Sequence, residues 1–466
     1  MTAGPASPAS PASPASPPSP TAQRFTGDSA GIHRLVLDLR RGEIPAHVST
    51  QALANRTLAG LLDVRSPRLL PSTSDSVFAP EAPPAGPGRP AVPFLPRERL
   101  LTPDEQRTAV ACFARALASG ELTSGPAVAR FEHGLGEFLG LPHAVATSSG
   151  TDALVIALLA VGVGRGDEVI MPANSFAATE NAVFACGALP VLVDVDPERH
   201  TLDPTLIEAA VTPRTRAVLP VHLYGRLADA AGVYRVAREH GLPVVEDACQ
   251  AIGVAGVGRY ADATVLSFNP YKNFGLTGKA GAVLTGDSAL HARMEGLAYH
   301  GFAPGEKNVK AGLWGLNAKI DNSTATVATG LLPGLTLNNY RRAFLAHRYI
   351  EALAELGTAG QLHLPAFTDD HAWHLFPVRV PGGEADRDSL RVRLRESGIE
   401  TDVYYPVLTH QHRTPLHEKL FGDVVLPRTE KLNATVFHLP LHNGLSVTEQ
   451  DRVIEALHAA VHATTR

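Results

Sequence analysis

The sequence predicts an α/β protein, with a large domain built on a mostly parallel sheet and a smaller α+β domain closing the chain. Three observations carry this. From about residue 143, short β-branched runs alternate with stretches of about 10–20 residues of helical period, the pattern of βαβ units covered on both faces. After about residue 341 the alternation stops, and a long helical stretch is followed by separated strands. The composition, 44% hydrophobic and 19% charged over 466 residues, is that of a soluble globular chain.

Residues 1–91 read as an extension. The run PASPASPASPASPPSP at 5–20 has almost no side chain to bury, so the cost of ordering it goes unmet. A weaker apolar period over 31–64 allows one or two helices, and a second Pro-rich stretch at 80–96 reads as a linker. The large domain is placed at 92–340. Its first helix is announced by Thr102-Pro103-Asp104-Glu105, a capping box with Pro at the first helical position, and should end near Gly120. Strands are expected at 169–171, 191–193, 217–221, 244–246, 264–268 and 282–284. The small domain, 341–466, follows a helix expected over 340–356. Its strands are expected at 374–380 and 400–405, and its last helix opens at a second capping box, Ser446-Val447-Thr448-Glu449.

Several function classes drop out. A net charge of −5 does not suit nucleic acid as the main partner. The most apolar run, 154–163, is too short to span a bilayer, and no signal-peptide pattern opens the chain. Three cysteines with no CxxC pair suggest a reducing compartment, the cytoplasm. His410 and His412 lack the spacing and companions of a zinc site, so no metal is expected.

In an open α/β sheet, ligands sit beyond the carboxyl ends of the strands. Four clusters lie there. Thr147-Ser148-Ser149-Gly150-Thr151-Asp152 precedes an apolar helix and can cradle an anion at its N-terminus, or simply cap the helix. Phe176, in Pro172-Ala173-Asn174-Ser175-Phe176-Ala177-Ala178-Thr179, can stack on a planar ring or fill the core. Glu246-Asp247-Ala248-Cys249-Gln250 offers a strand-end carboxylate for catalysis or for a cationic ring nitrogen; it also reads as a cap. Lys272, in Ser267-Phe268-Asn269-Pro270-Tyr271-Lys272-Asn273-Phe274-Gly275, is a turn lysine among aromatics. Desolvation there would favour Schiff-base chemistry, although a surface lysine lying on an aromatic is the common alternative. Cys249 reads as a buried, inert thiol.

Taken in order, these strings resemble the DegT/DnrJ/StrS type of fold-type I, pyridoxal phosphate (PLP)-dependent sugar aminotransferase. Val193-Asp194-Val195-Asp196-Pro197 and Val221-His222-Leu223-Tyr224-Gly225 belong to the same match, which runs from about residue 92 to the C-terminus. Val92-Pro93-Phe94-Leu95-Pro96, Tyr299-His300-Gly301-Phe302, His374-Leu375-Phe376-Pro377 and Thr401-Asp402-Val403-Tyr404-Tyr405-Pro406 are similar to a subgroup that aminates 3-oxo-glucose 6-phosphate to kanosamine 6-phosphate.

The resemblance implies a role for each matching residue. Lys272 binds the PLP aldehyde and shuttles the proton, and Asp247 keeps the ring nitrogen protonated. Gln250 bonds near the phenolic oxygen, and Phe176 stacks on the ring. Ser149, Gly150, Thr151 and Ser267 hold the phosphate. Asn317 reaches the phosphate of a neighbouring subunit, which implies a homodimer with shared active sites. The implied substrates are L-glutamate and a keto sugar.

Two departures stand out. The family's Gly-Asp-Gly-Gly reads Gly278-Lys279-Ala280-Gly281, and its Asn-x-Arg reads Asn317-Ala318-Lys319. Lys279 is a candidate for attracting a sugar phosphate, as is the Lys307–Lys310 loop; both also read as solvated lysines. His300 and Tyr405 are candidates on the substrate side, with packed side chains as the alternative.

Other readings stay open on the sequence. The substrate can be a nucleotide-linked keto sugar or a keto cyclitol. A non-catalytic PLP-binding regulator would need a DNA-reading module, and residues 1–92 show no basic cluster. Gly256-Val257-Gly258-Arg259-Tyr260-Ala261 matches a dinucleotide fingerprint but lacks the strand–helix context.

Overall fold

The computed structural model describes residues 91–463 apart from 304, 305, 307 and 313. The Pro/Ala/Ser tract, the helical pattern at 31–64 and Lys307 lie outside the described residues.

Short runs of Val, Ile, Leu and Ala form the main sheet because both of its faces are covered. Its strands are β1 (His143–Thr147), β2 (Glu168–Pro172), β3 (Leu189–Val193), β4 (Thr215–Val218), β5 (Val245–Asp247), β6 (Ala263–Ser267) and β7 (Gly281–Thr285). Two ladders, β3-β2-β4 and β1-β7-β6-β5, are joined by parallel bridges Val218↔Val244 and Val221↔Asp247. The spatial order is therefore β3-β2-β4-β5-β6-β7-β1. Only β7 runs antiparallel to its neighbours. The mostly parallel sheet expected from the sequence is thus present. β1 was not among the sequence-predicted strands, since Ala-Val-Ala carries a single β-branched residue.

The first capping box forms as read. Thr102 caps the helix Pro103–Ser119, and Gly120 ends it with φ 73°. The long helix starts earlier than expected, at Leu335, and runs to Ala352. It accommodates Asn338 and Asn339 because their amides are used. Asn338 Nδ2 donates to Glu105 Oε1 (2.7 Å), and Asn339 Nδ2 donates to the Ile252 carbonyl (3.0 Å). One helix thereby serves two cores. Leu335 packs under the main sheet, and Tyr340–Tyr349 pack in the C-terminal core with Val92, Phe376 and Phe437.

That second core carries a two-stranded antiparallel ladder, β8 (Phe376–Arg379) with β9 (Val436–Leu439). The last helix, Val447–His462, has its capping box intact. The strand expected at 400–405 does not form. Its N–H groups go to separate partners: Glu400 to the Val92 carbonyl, Asp402 to the His438 carbonyl and Tyr404 to His438 Nδ1. A single bridge, Asp402↔His438, is what remains of a ladder.

Beneath the sheet's active edge lies a buried ion network. His222 Nδ1 accepts from the Ala228 N–H (3.1 Å), so Nε2 carries the proton and donates to Glu246 Oε2 (2.9 Å). Glu246 Oε1 accepts from the Gly258 N–H (2.6 Å) and Thr264 Oγ1 (3.0 Å). This explains the Gly256–Ala261 string. It is a turn that delivers an N–H to Glu246, with Gly258 at φ 82°, and no dinucleotide loop. Glu246→Ala would strand three donors in the interior, at an expected cost of about 3–5 kcal/mol. Chemical denaturation measures this; a loss below about 1 kcal/mol would show that the network contributes little.

Candidate active site

The carboxyl ends of β1, β2, β5 and β6 meet around a cavity of about 810 Å³. Ser149, Gly150, Thr151, Phe176, Asp247, Gln250, Ser267, Lys272, Lys279 and Tyr405 all line it. Two sequence candidates lie elsewhere. Asn317 is exposed, with its backbone bridged to Tyr299, and His300 sits against Tyr299 and Phe302. Neither lines this chain's own cavity.

At one end the helix Gly150–Ala160 opens toward the cavity. The cap forms, and the geometry of the first turn is compatible with an anion cradle as well. Ser149 Oγ caps the helix by accepting from the Asp152 N–H (3.0 Å), while Thr151 and Ser267 bring hydroxyls to the positive end of the helix. Glycine is required here by close approach. A Cβ on Gly150 would lie 2.7 Å from Ser267 Cβ, and one on Gly281 would lie 2.6 Å from Gly150 N. The cradle is therefore two backbone segments pressed together, with the Gly150 and Thr151 N–H groups preceding the first intrahelical bond, from the Ala153 N–H to the Ser149 carbonyl.

At the other end stands Asp247, buried at the tip of β5. Its Oδ2 accepts from Thr179 Oγ1 (3.0 Å), which contacts Ser175 Oγ (2.7 Å), and its Oδ1 accepts from the Cys249 N–H (3.1 Å). Thr179 closes the string that holds Phe176, but its sequence gives it no role; the fold places its hydroxyl on Asp247. It sits one helical turn beyond Phe176, and only the fold shows that it faces Asp247. Burial, then the nearby Asp247, pushes the Cys249 thiol well above its ordinary value, so it stays protonated. This fits the inert reading.

Lys272 lies between these ends. Its turn is fixed by the Lys272 N–H donating to the Asn269 carbonyl (2.8 Å). Gly275 closes the turn so tightly that a Cβ there would lie 2.3 Å from the Pro270 carbonyl oxygen. The flanking Phe268 and Phe274 pack on each other and on Phe131 in the core, so the aromatics pin the turn. Asn273 ties it across to the long helix and the segment before β8, donating to Asn339 Oδ1 (3.2 Å) and the Ala372 carbonyl (2.8 Å). Burial lowers the Lys272 pKa, with Cys249 and Asp247 opposing. The net direction favours the neutral amine, which is the reactive form.

The remaining wall is aromatic. Gln250 accepts from the Tyr224 N–H (2.8 Å) and donates to Tyr405 Oη (2.8 Å). Tyr224 in turn stacks on Tyr405, with rings 6.2 Å apart and 15° from parallel. Phe176 is 57% exposed at the cavity, so it is no core residue and is free to cover a planar ligand. Lys279 is exposed at the rim. The donor set fits PLP: an anion cradle for the phosphate, a carboxylate for a cationic ring nitrogen, an amine for an aldehyde and an exposed aromatic for the ring face.

Comparison with known proteins agrees with this geometry. Residues 103–458 match the model of the DegT/DnrJ/EryC1/StrS aminotransferase family. A 3-oxo-glucose-6-phosphate:glutamate aminotransferase of Bacillus subtilis (strain 168) is 48% identical over 367 residues, covering 78% of this chain and 83% of that protein. A dTDP-3-amino-3,4,6-trideoxy-alpha-D-glucose transaminase of Streptomyces venezuelae is 40% identical over 377 residues, covering 79% and 96%. The crystal structure of NtdA from Bacillus subtilis with the bound cofactor PMP superposes with a TM-score of 0.82 at 40% identity, covering 94% of this chain and 99% of that one.

Lys272→Ala should reduce turnover by at least about 10²-fold, the usual weight of a positioned acid–base group. Thr179→Val removes a hydrogen bond to a charged group and should cost about tenfold in kcat. Because Thr179 acts through Asp247, the variant should also shift the pH dependence of the bound cofactor's absorbance. Wild-type kcat and an unshifted spectrum in Thr179→Val would remove Thr179 from the site's machinery.

Proposed function

Because the chain belongs to the DegT/DnrJ/EryC1/StrS aminotransferase family, we propose that it moves the amino group of L-glutamate to a keto sugar, and that this sugar is 3-oxo-glucose 6-phosphate. The chain is a PLP-dependent aminotransferase. The product of the proposed reaction is kanosamine 6-phosphate. The observation that carries the aminotransferase reading is the convergence of Lys272, Asp247 and the Gly150 cradle on one cavity.

When bound, PLP supplies an aldehyde that takes up an amino group and a cationic ring that draws electrons from the adjoining carbon. The chain's own residues do the rest. Asp247, held by Thr179 and the Cys249 N–H, faces the ring cation with its orientation fixed. Lys272 Nζ, kept toward its neutral form by burial, takes the donor's Cα proton and returns a proton to complete the transfer. Thr151, Ser267 and the first N–H groups of the helix anchor the phosphate, while Ser149, engaged with Asp152, caps the helix that presents them. Phe176 covers one face and limits water. Glutamate then leaves as 2-oxoglutarate, and the keto sugar enters by the same route.

Two further features support the finer reading. Lys279 places a positive charge at the rim of the cavity, where it suits a sugar phosphate. The helix Pro103–Ser119 exposes Val110, Phe113 and Leu117 on one stripe, with Leu122 beyond it. Such a stripe suits a second copy of the chain. The homodimer in turn gives the exposed Asn317 a site to reach. The free cysteines Cys112, Cys186 and Cys249 support a cytoplasmic setting. Among the described residues no helix is long and apolar enough to cross a membrane.

A coupled assay that follows 2-oxoglutarate should show turnover with 3-oxo-glucose 6-phosphate, and Lys279→Ala should raise its KM with kcat little changed. Activity with nucleotide-linked keto sugars alone would remove the sugar-phosphate reading and keep the aminotransferase. Phe113→Glu places a charge in the stripe and should shift the chain from dimer to monomer in sedimentation. An unchanged dimer would rule that face out.

A further inference from the structure

A second cavity, of about 100 Å³, lies behind the active-site wall and is linked to it through one residue. Tyr224 lines it, while the same residue's ring stacks on Tyr405 and its N–H holds Gln250. Three guanidiniums also line it: Arg199 and Arg226 from loops at the edge of the main sheet, and Arg379 from the end of β8. The cavity therefore lies across the seam between the two cores.

Three carboxylates face the three guanidiniums, but only Asp370 pairs closely. Arg199 and Arg226 share one acid, Asp370, with N···O distances of 2.8 and 3.2 Å. Arg199 also donates to the Leu227 carbonyl (3.1 Å) and Arg226 to Thr368 Oγ1 (2.6 Å). Arg226 Nε is buried, and its ion-pair partner Asp370 Oδ1, at 3.2 Å, is out of line for a hydrogen bond. Arg379 has only a loose pair, 3.9 Å to Glu198, whose carboxylate is 84% exposed. Asp196 acts on Arg226 from farther off. Burial disfavours the charge on both Arg226 and Arg379, and Arg199 adds like-charge repulsion at Arg226. His200 and His371 complete the wall, and burial keeps both imidazoles neutral. Backbone strain collects at the same place. His200 (φ 61°) and Tyr224 (φ 60°) are both non-glycine residues in the left-handed region.

Converging guanidiniums in a concave, half-buried setting recognise oxyanions through paired, charge-assisted hydrogen bonds. We propose that this cavity is a binding site for a phosphate oxyanion, separate from the cradle at Gly150, and that the bound anion ties β8 to the loops carrying Arg199 and Arg226. The small volume suits free phosphate; a phosphate monoester would leave its organic part outside. Through Tyr224 the site adjoins the Gln250–Tyr405 wall. Its occupancy therefore stiffens that wall without contributing to the chemistry. The inference stands on these residues alone and does not depend on which sugar the enzyme takes.

The test uses holoenzyme saturated with PLP, so that the Gly150 cradle is filled. Phosphate should raise the thermal midpoint saturably, by about 2 °C or more, relative to chloride at matched ionic strength. Arg379→Gln should lose most of that shift, and Arg379→Lys should retain part of it. Lys279→Ala should keep it, which separates this site from the rim of the active site. A shift given equally by glucose 6-phosphate and lost in Arg379→Gln would assign the monoester, and one given by phosphate alone would assign the free ion. Crystals of the unaltered holoenzyme soaked in tungstate need no variant. An anomalous peak between Arg226 and Arg379 supports the site. No phosphate-specific shift, a wild-type shift in Arg379→Gln, or an empty cavity in the soaked crystal overturns it.

Discussion

Two adjacent carboxylates end β5 in the middle of the sheet, and the surrounding structure is arranged so that both can be buried. Successive residues of a strand face opposite sides. Glu246 therefore turns inward, where three donors meet it: His222, itself oriented by the Ala228 N–H, with Gly258 and Thr264. Asp247 turns into the cavity, where Thr179 and the Cys249 N–H orient it and leave room for a cation. A buried carboxylate without partners would give up its charge by raising its pKa. The structural network under Glu246 and the functional one around Asp247 solve that one problem on two sides of a three-residue strand.

The same constraint explains how much of the site was readable from sequence. Asp247, Lys272 and the Gly150 turn stand at strand ends, so the rule about carboxyl ends picks them out. Their order along the chain then supplies the family. Thr179 could not be found that way. A threonine inside a helix has no local mark, and its role comes from a contact 68 residues away in sequence. β1 was missed for a related reason. Its small residues make a weak strand signal, and its stability comes from pairing with β7 along five residues. The asparagines of the long helix misled in the opposite direction. They disfavour helix intrinsically, yet each is buried with a hydrogen-bond acceptor that outweighs the propensity. Asn317 marks another boundary: what the resemblance assigned to a neighbouring subunit does not enter a single chain's cavity, while His300 packs on Tyr299 and Phe302, the alternative its sequence context left open.

The turn that carries Lys272 depends on both cores. Phe268 and Phe274 anchor it in the core around Phe131. Asn273 reaches Asn339 on the shared helix and the Ala372 carbonyl, and its Oδ1 meets His374 Nδ1 at 3.2 Å. Nearby, the buried Arg342 spreads its charge over the carbonyls of Trp373, His374 and Leu441. Gly225 lets this segment approach, since a Cβ there would lie 2.9 Å from His374 N. The reactive lysine is thus held by side chains of the main-sheet core and, through Asn273, by the Ala372 carbonyl, whose chain neighbour Trp373 is buried in the C-terminal core. A change in how the two cores meet would move it.

The failed strand at 400–405 follows from the same need. Tyr404 and Tyr405 both line the cavity. In a regular strand two consecutive side chains face opposite sides, so one of them would have to leave. The backbone instead bends and satisfies its N–H groups singly, with Val92, His438 and the His438 ring as separate acceptors. The two rings then stand perpendicular to each other, with centroids 5.0 Å apart. Tyr405 can take the Gln250 hydrogen bond while Tyr404 packs against His374 and Phe94. The β-rich sequence favours a strand, but the site needs two neighbouring aromatics on one side. The site prevails because each lost ladder bond is replaced by another acceptor, so the irregular backbone leaves no buried N–H unpaired among these three.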